Sequence, residues 1–277
     1  MNYNFVNNFF LSNIIKVIPK FIIKKIRKRF NWITFIPTKL NYLPAENHPV
    51  IHCVAEQEKY LEDFNKFKEQ TSKMTCPYLI QFLTTIYESN KKFKFLDIGA
   101  ENIDFFLELK AKFNNLEYYI HNQKKVLENL EELKKKYFFK DFYIIPDLNK
   151  IYNDQFEFIN LGSCIQYLED YKKIINLIIK ISKEYIFFSA THFFTNKNNN
   201  IEVLVAKQIN FLPKVFYCYF FERESFLNFF TKNSFEIIFE KKNITDNINY
   251  DNFLQTFKDV KYTDILLKNK KKIKELD

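Results

Sequence analysis

The rhythm of apolar and polar positions changes near residue 90. From KFKFLDI (92–98) onward, short apolar runs alternate with longer stretches whose apolar residues recur every three or four positions. KFKFLDI, LEYYIH (116–121), FYIIP (142–146), FEFINLG (156–162) and EYIFFSA (184–190) read as buried strands. Between them, ENIDFFLELKAKF (101–113) puts Ile103, Phe106, Leu109 and Phe113 on one helical face. QKKVLENLEELKKKYF (123–138) does the same with Val126, Leu130, Leu133 and Tyr137, and YLEDYKKIINLIIKI (167–181) is a third helix. Beyond the polar NKNNN loop (196–200), strands are expected near 201–208 and 215–220, a helix over 222–232 and a strand over 234–241. Short strands alternating with helices of this length predict a parallel sheet covered on both faces, a doubly wound α/β architecture. The segment 250–277, ending in KNKKKIKELD, predicts a surface helix or a frayed end.

The first 90 residues follow a different pattern. Residues 9–30, FFLSNIIKVIPKFIIKKIRKRF, bring Ile14, Val17, Ile18, Phe21 and Ile22 to one side of a helix and Lys16, Lys20 and Lys24 to another. Lysines interrupt every apolar run well short of the ~20 residues that span a bilayer, so the segment reads as a basic amphipathic helix. It suits either an anionic membrane surface or the flank of the domain behind it, with a bend at Pro19. A proline-punctuated linker (35–49) leads to two helices, about 50–70 and 77–89. The second has Thr75 as a cap and Pro77 in its first turn. The chain thus divides into an amino-terminal helical extension (1–90), an α/β domain (91–245) and a Lys-rich tail (246–277).

Composition alters the weight of two signals. Only three of the 42 basic residues are Arg, and Gly occurs twice, where ordinary usage gives roughly twenty. Enrichment in Lys, Asn, Ile and Phe at the expense of Gly and Arg follows A/T-rich codons. The formal charge of +9 therefore says little about nucleic acid, and no nucleic-acid-binding signature accompanies it. Conversely, Gly99 and Gly162, each following a strand, mark places where the backbone needs φ > 0 or close approach. The four cysteines (53, 76, 164, 218) have no CxxC pair or framework spacing, which fits reduced thiols in the cytoplasm. His48 and His52 lie four apart beside Cys53 but lack further ligands at recognisable spacing, so no metal is expected.

The stretch FLDIGAENIDFF (95–106) is where candidate chemistry concentrates. It closes the first strand of the sheet, and ligands of such sheets bind outside the carboxyl ends of the strands at the topological switch point. In dinucleotide and S-adenosylmethionine binders this turn lets backbone approach the ligand. An acid near the end of the second strand then takes the ribose hydroxyls. Here Asn122, with His121 before it, occupies that position.

The order LDIG…YYIHNQ…FEFINLGSCIQYLEDY…YIFFSATHFF…YCYFFERESFLNFF resembles class I S-adenosylmethionine-dependent methyltransferases. It is most similar to a methyltransferase family found in bacterial surface-polysaccharide (lipopolysaccharide and capsule) gene clusters. The likeness runs from about 90 to 241 and is most specific in LGSCIQYLED and YCYFFERESFLNFF. It implies a Rossmann-like sheet, S-adenosylmethionine as cofactor and a glycan precursor as methyl acceptor, at a sugar hydroxyl or a phosphoryl or phosphoramidate group.

Carried over by position, Asp97 and Gly99 begin the cofactor loop, with Ala100 and Glu101 following. Asn122 stands at the ribose acid and Gln123 after it. Gly162, Ser163, Gln166 and Tyr167 face cofactor and acceptor after the fourth strand, and Thr191 and Phe193 follow the fifth. The chain departs from the family where glycines fall on Ala100, Glu101 and Ile103, and where Ser189 and Ala190 replace an acid and an Arg. His192 stands where Pro is usual.

A hydroxyl acceptor calls for a base. His192 is the first candidate and His121 the second, each also readable as a loop histidine. Asp147 reads as an acceptor for the adenine amino group or as a helix cap, and Asp97 as an orienter of the methionyl end or a structural carboxylate. Glu222 and Arg223, at a strand–helix junction, are candidates for the acceptor side. Replacing the ribose carboxylate by an amide and glycine by side-chain-bearing residues weakens binding by roughly 2–3 kcal/mol. That leaves a second reading, a catalytically degenerate methyltransferase fold serving a partner enzyme.

Overall fold

A computed structural model describes residues 35–44, 58, 77–101, 103–195, 201–208, 216–242 and 258–271. The amphipathic segment at 9–30, most of the helix expected over 50–70, the His48–His52 pair and the NKNNN loop lie outside the described residues.

Among the described residues, ten strands form one mixed sheet. Its core consists of β2 (Phe93–Ile98), β3 (Leu116–His121), β4 (Phe142–Ile144), β5 (Phe156–Gly162) and β6 (Ser182–Thr195), all parallel, in the order β4-β3-β2-β5-β6. Antiparallel β10 (Lys258–Asn269) lies against β6 and carries β9 (Phe235–Lys242) beyond it. A second branch, β8 (Phe216–Glu222), β7 (Val203–Gln208) and β1 (Phe35–Pro37), attaches to the far end of β6 through Phe193 and Phe194.

Helices cover both faces because the strands are apolar on both. Alternate residues of β2 go to opposite cores. Phe93 and Phe95 pack with α1 (Pro77–Ile86), α2 (Asp104–Lys110) and α3 (Lys124–Tyr137), through Leu83, Leu109 and Leu130 among others. Leu96 and Ile98 pack with α4 (Tyr171–Ile181) and α5 (Arg223–Thr231), through Ile175, Ile178 and Phe226. The architecture is the doubly wound α/β sheet that the pattern predicts. Among the described residues no helix is long and apolar enough to cross a membrane.

Two expectations need correction. The segment expected to be a surface helix or frayed end contains β10, an inner strand whose Ile265, Leu266 and Leu267 are buried. β6 does not stop at Ala190 but runs to Thr195. Its outer half is held by β10 on one side and by β8 on the other, so Thr191, His192 and Phe193 are strand residues and not loop residues.

Candidate functional site

The chain reverses direction across the sheet between β2 and β5, and polar side chains gather at the carboxyl ends of the strands there. Asp97 and Asn160 are register partners, one and two residues before the ends of β2 and β5, and are 2 % and 8 % exposed. Asn160 donates Nδ2–H to Asp97 Oδ1 at 2.8 Å, and Tyr118 Oη–H donates to Asp97 Oδ2. Burial pushes the Asp97 carboxyl up to about 6, with both hydrogen bonds opposing it. Neither neutral donor supplies a positive charge, and Asn160 Oδ1 is buried with no hydrogen-bond partner.

Gly99 follows at φ +91, and its amide donates to His121 O at 2.8 Å. A Cβ here would lie 2.2 Å from Cys164 Cβ. Cys164 in turn donates its S–H to Ile98 O at 3.0 Å. The glycine is therefore required by the close approach of two strand-end turns, whatever binds between them. Asn122 ties the same turn to α3: Nδ2–H donates to Ala100 O at 2.8 Å, and Oδ1 accepts from Gln123 N–H at 2.6 Å. Glu101 continues the turn, half-buried.

His121 donates from Nδ1 to the Ile145 carbonyl at 2.8 Å, and burial lowers its pKa. That tautomer leaves Nε2 as an acceptor. Asp147 caps the short helix Leu148–Ile151 by accepting from Asn149 N–H at 2.9 Å, the capping alternative of the two read from sequence.

Past β5 the backbone takes two left-handed residues, Ser163 and Ala190, both at φ 52. Neither is glycine, and such conformations cost of order 1–3 kcal/mol and cluster at functional sites. Ser163 N–H donates to Ser189 O at 2.8 Å, which ties the two turns together. Asp264, on β10, accepts from Ala190 N–H at 2.7 Å, from Ser189 Oγ at 3.2 Å and from Tyr78 Oη. Gln166, fully buried, donates Nε2–H to Ala190 O at 3.0 Å and to Ser163 Oγ at 3.2 Å, while its Oε1 has no partner. Ser163 Oγ lies 2.9 Å from Tyr262 Oη. Tyr167 donates to Gln208 Oε1 at 2.7 Å, and Thr191 is buried beside this cluster's strand. Gly162 flanks Asn160, whose Nδ2 lies 3.5 Å from where a Cβ would stand.

Three candidates are placed differently from the sequence expectation. His192 is 1 % exposed in a box of rings, 4.4 Å from Phe220, 4.6 Å from Phe35 and 4.6 Å from Tyr262. Burial lowers its pKa to about 3. This removes the exposed-loop position on which a role as base rested. Glu222 is buried and caps α5, accepting from Ser225 N–H at 2.6 Å. Arg223 pairs bidentately with Glu240 at 2.9 and 2.6 Å and also with Glu224, so its planar fork is already matched. Conversely, Asn160, Tyr262 and Asp264 were not among the sequence candidates. For Asn160 the signal was an amide in the apolar stretch that follows Glu157 in β5.

No family model matches the chain, and no curated protein matches it in sequence. Solved structures do match it in fold. A protein assigned as a sarcosine dimethylglycine methyltransferase, from Galdieria sulphuraria, superposes with a TM-score of 0.50 at 10 % identity, covering 70 % of this chain and 84 % of that one. An S-adenosylmethionine-dependent methyltransferase from Clostridium acetobutylicum gives 0.48 at 12 %, covering 76 % and 98 %. The 1,6-didemethyltoxoflavin-N1-methyltransferase of Burkholderia thailandensis, solved with S-adenosylhomocysteine bound, gives 0.49 at 8 %, covering 84 % and 99 %. At these identities the likeness is one of fold, and that fold is the Rossmann-like methyltransferase sheet.

Proposed function

We propose that the protein is an S-adenosylmethionine-dependent methyltransferase acting on a capsule or lipopolysaccharide precursor at the cytoplasmic face of the membrane. The observation that carries the cofactor reading is the Asp97–Asn160 pair. A carboxylate held at the carboxyl ends of β2 and β5 with only neutral donors, beside an amide oxygen lacking any donor, suits a cationic donor group. An aminoacyl ammonium is such a group. Gly99 and the Ala100–Asn122 tie form the adjoining turn. His121 Nε2 and Asn122 provide neutral acceptors where a ribose carboxylate would otherwise stand.

When bound, the cofactor supplies an electrophilic methyl on a sulfonium. The chain's own residues bind, orient and exclude water, which is most of what an in-line displacement requires. An amide in place of the ribose acid forgoes about 1 kcal/mol of charge-assisted hydrogen bonding, or roughly a factor of five in affinity.

A second reading, a degenerate fold that supports a partner enzyme, draws on a specific observation. Cys164 fills the space over Gly99, and Asn122 is engaged by Ala100 and Gln123. Calorimetric titration with S-adenosylhomocysteine decides between them. Binding at tens of micromolar or tighter, lost in Asp97→Asn and weakened in Asn160→Leu, supports the enzyme. Absence of heat and of thermal stabilisation at millimolar ligand leaves the scaffold, and the search then turns to a co-purifying protein.

A further inference from the structure

The amino ends of the strands, opposite the candidate site, carry a feature that the cofactor reading does not use. Helix α3 ends at Tyr137, and the next residue, Phe138, takes the left-handed conformation (φ 52, ψ 43) and donates its N–H to Lys134 O. The two phenylalanines of this turn then diverge. Phe139 goes inward, with ring centres 5.4 Å from Phe106 and 6.1 Å from Phe142. Phe138 goes outward and is 83 % exposed, more than any other large apolar side chain among the described residues. Tyr143, on the edge strand β4 that the turn leads into, is exposed as well, and Lys134 Nζ lies 6.0 Å from its ring centre.

Composition does not account for Phe138. A left-handed residue after a helix is usually Gly or Asn, because other side chains are strained there. Gly is scarce in this chain, but Asn is abundant, and A/T-rich codons supply it as readily as Phe. Asn would relieve the backbone and take an apolar ring out of water. The chain keeps the ring, on a turn held by hydrogen bonds from the Phe138 and Phe139 amides to Lys134 O.

The surroundings of the ring are cationic. Lys134, Lys135, Lys136 and Lys140 flank it in sequence. Lys135 and Lys136 pair with Glu131 at 3.7 Å and Glu58 at 2.6 Å, and Lys110 takes Asp141 at 2.9 Å. Among the described residues Lys134 and Lys140 enter no salt bridge. An aromatic tip with a lysine rim suits a partner that is anionic at its surface and apolar beneath. One ring and its rim fall far short of the ~800 Å² per partner of a stable protein interface. A headgroup layer, in contrast, closes around a tip of any shape.

We infer that the Phe138 turn is a membrane-contact surface, in which Phe138 enters the headgroup layer of an anionic bilayer and Lys134 and Lys140 meet lipid phosphates. This rests on the membrane setting of the proposed function and not on its chemistry, and it locates the contact within the folded domain. The carboxyl ends of the strands then face away from the bilayer, which leaves the candidate site open to dissolved acceptors.

The test is co-sedimentation of the full chain with vesicles of phosphatidylcholine alone, or of equal parts phosphatidylcholine and phosphatidylglycerol. Binding is expected to the anionic vesicles only. It should weaken by about tenfold in Phe138→Asn and by about tenfold in Lys134→Gln/Lys140→Gln. Thermal melts verify folding, and Asn suits the left-handed backbone. A second readout separates this turn from the basic amino-terminal segment. Trp32 is the only tryptophan, so Trp32→Phe/Phe138→Trp carries its one indole at the tip. Its emission should shift to the blue on anionic vesicles and be quenched by lipids brominated in their acyl chains. No sedimentation, equal binding to neutral vesicles, affinity unchanged in either folded variant, or an unquenched indole on bound protein would overturn the surface. Calorimetry with S-adenosylhomocysteine separates the two levels: cofactor binding without vesicle binding rejects the surface alone, and vesicle binding through the tip without cofactor binding rejects the methyltransferase reading alone.

Discussion

Asp97→Asn should make the protein more stable while abolishing the S-adenosylhomocysteine binding proposed for the site. Burial raises the Asp97 carboxyl from 3.8 to about 6 in the folded chain. At about 1.36 kcal/mol per pH unit, keeping it ionised at neutral pH costs roughly 3 kcal/mol. The variant removes that cost and gives up about 1 kcal/mol of charge assistance in the hydrogen bonds from Tyr118 and Asn160. Asn160 can turn its amide over and offer Oδ1 to the new N–H. A net gain of about 1–2 kcal/mol at pH 7.5 corresponds to a Tm rise of roughly 2–6 °C in a chain of this size. The pH dependence fixes the cause. With a raised carboxyl pKa, the folded state holds its proton longer than the unfolded chain, so the parent loses stability as pH rises from about 4 through 6. The advantage of the variant is therefore full above about pH 6, shrinks through that window and is absent near pH 4. Urea unfolding of both proteins across this range, with S-adenosylhomocysteine titrations alongside, measures it. A variant less stable than its parent at pH 7.5, or a gain that does not change with pH, would refute the picture of an uncompensated buried carboxylate.

Other substitutions probe neighbouring parts of the structure. Gly99→Ala combines a left-handed backbone with a Cβ 2.2 Å from Cys164 Cβ, and should destabilise by roughly 2–4 kcal/mol in chemical unfolding. Cys164→Gly added to it should restore part of that loss by removing the contact but not the backbone strain. His192 titrates in the opposite sense to Asp97: with its folded pKa lowered to about 3, stability falls as pH drops below the unfolded value of 6.5. His192→Phe should accordingly flatten the acid limb of the stability curve while leaving cofactor binding intact, as measured by urea midpoints at neutral and acid pH. Arg223→Ala should change stability by less than about 1 kcal/mol, since its partners are surface carboxylates, and should not alter S-adenosylhomocysteine affinity in calorimetry.

The sheet core was legible because its strands are nearly continuous apolar runs and its helices carry a clear three-to-four spacing. FKFLDI and FEFINLG need no tertiary information to be recognised. β10 was not legible: KDVKYTDILLKN is bracketed by lysines and has only a brief apolar run, so composition pointed to a solvated tail. What makes it an inner strand is the pair of edges waiting at β6 and β9, which no local pattern announces. The same gap hid Tyr262 and Asp264. His192 was misplaced because SATHFFT reads as a strand ending in a polar loop, whereas its imidazole is covered by the rings of Phe35 and Phe220 from distant segments. Asp97 and Gly99 were legible as positions. Their actual partners, Tyr118, Asn160 and Cys164, are matters of register between strands.

The place of β10 also governs the order in which the molecule can assemble. All nine of the sheet's other described strands end by Lys242, yet β9 pairs only with β10 among the described residues, and β6 has no other described neighbour along that edge. During synthesis β9 thus leaves the ribosome as an orphan ribbon, carrying Ile237 and Ile238 exposed, beside a half-built sheet. Closure waits for a segment that is translated after both strands it joins and must insert between them. Long-range pairing of this kind is slow, and open edges are templates for other chains. Nascent chains halted before Lys258 are therefore the form most exposed to misassembly, and a chaperone that shields β6 and β9 would act in that interval.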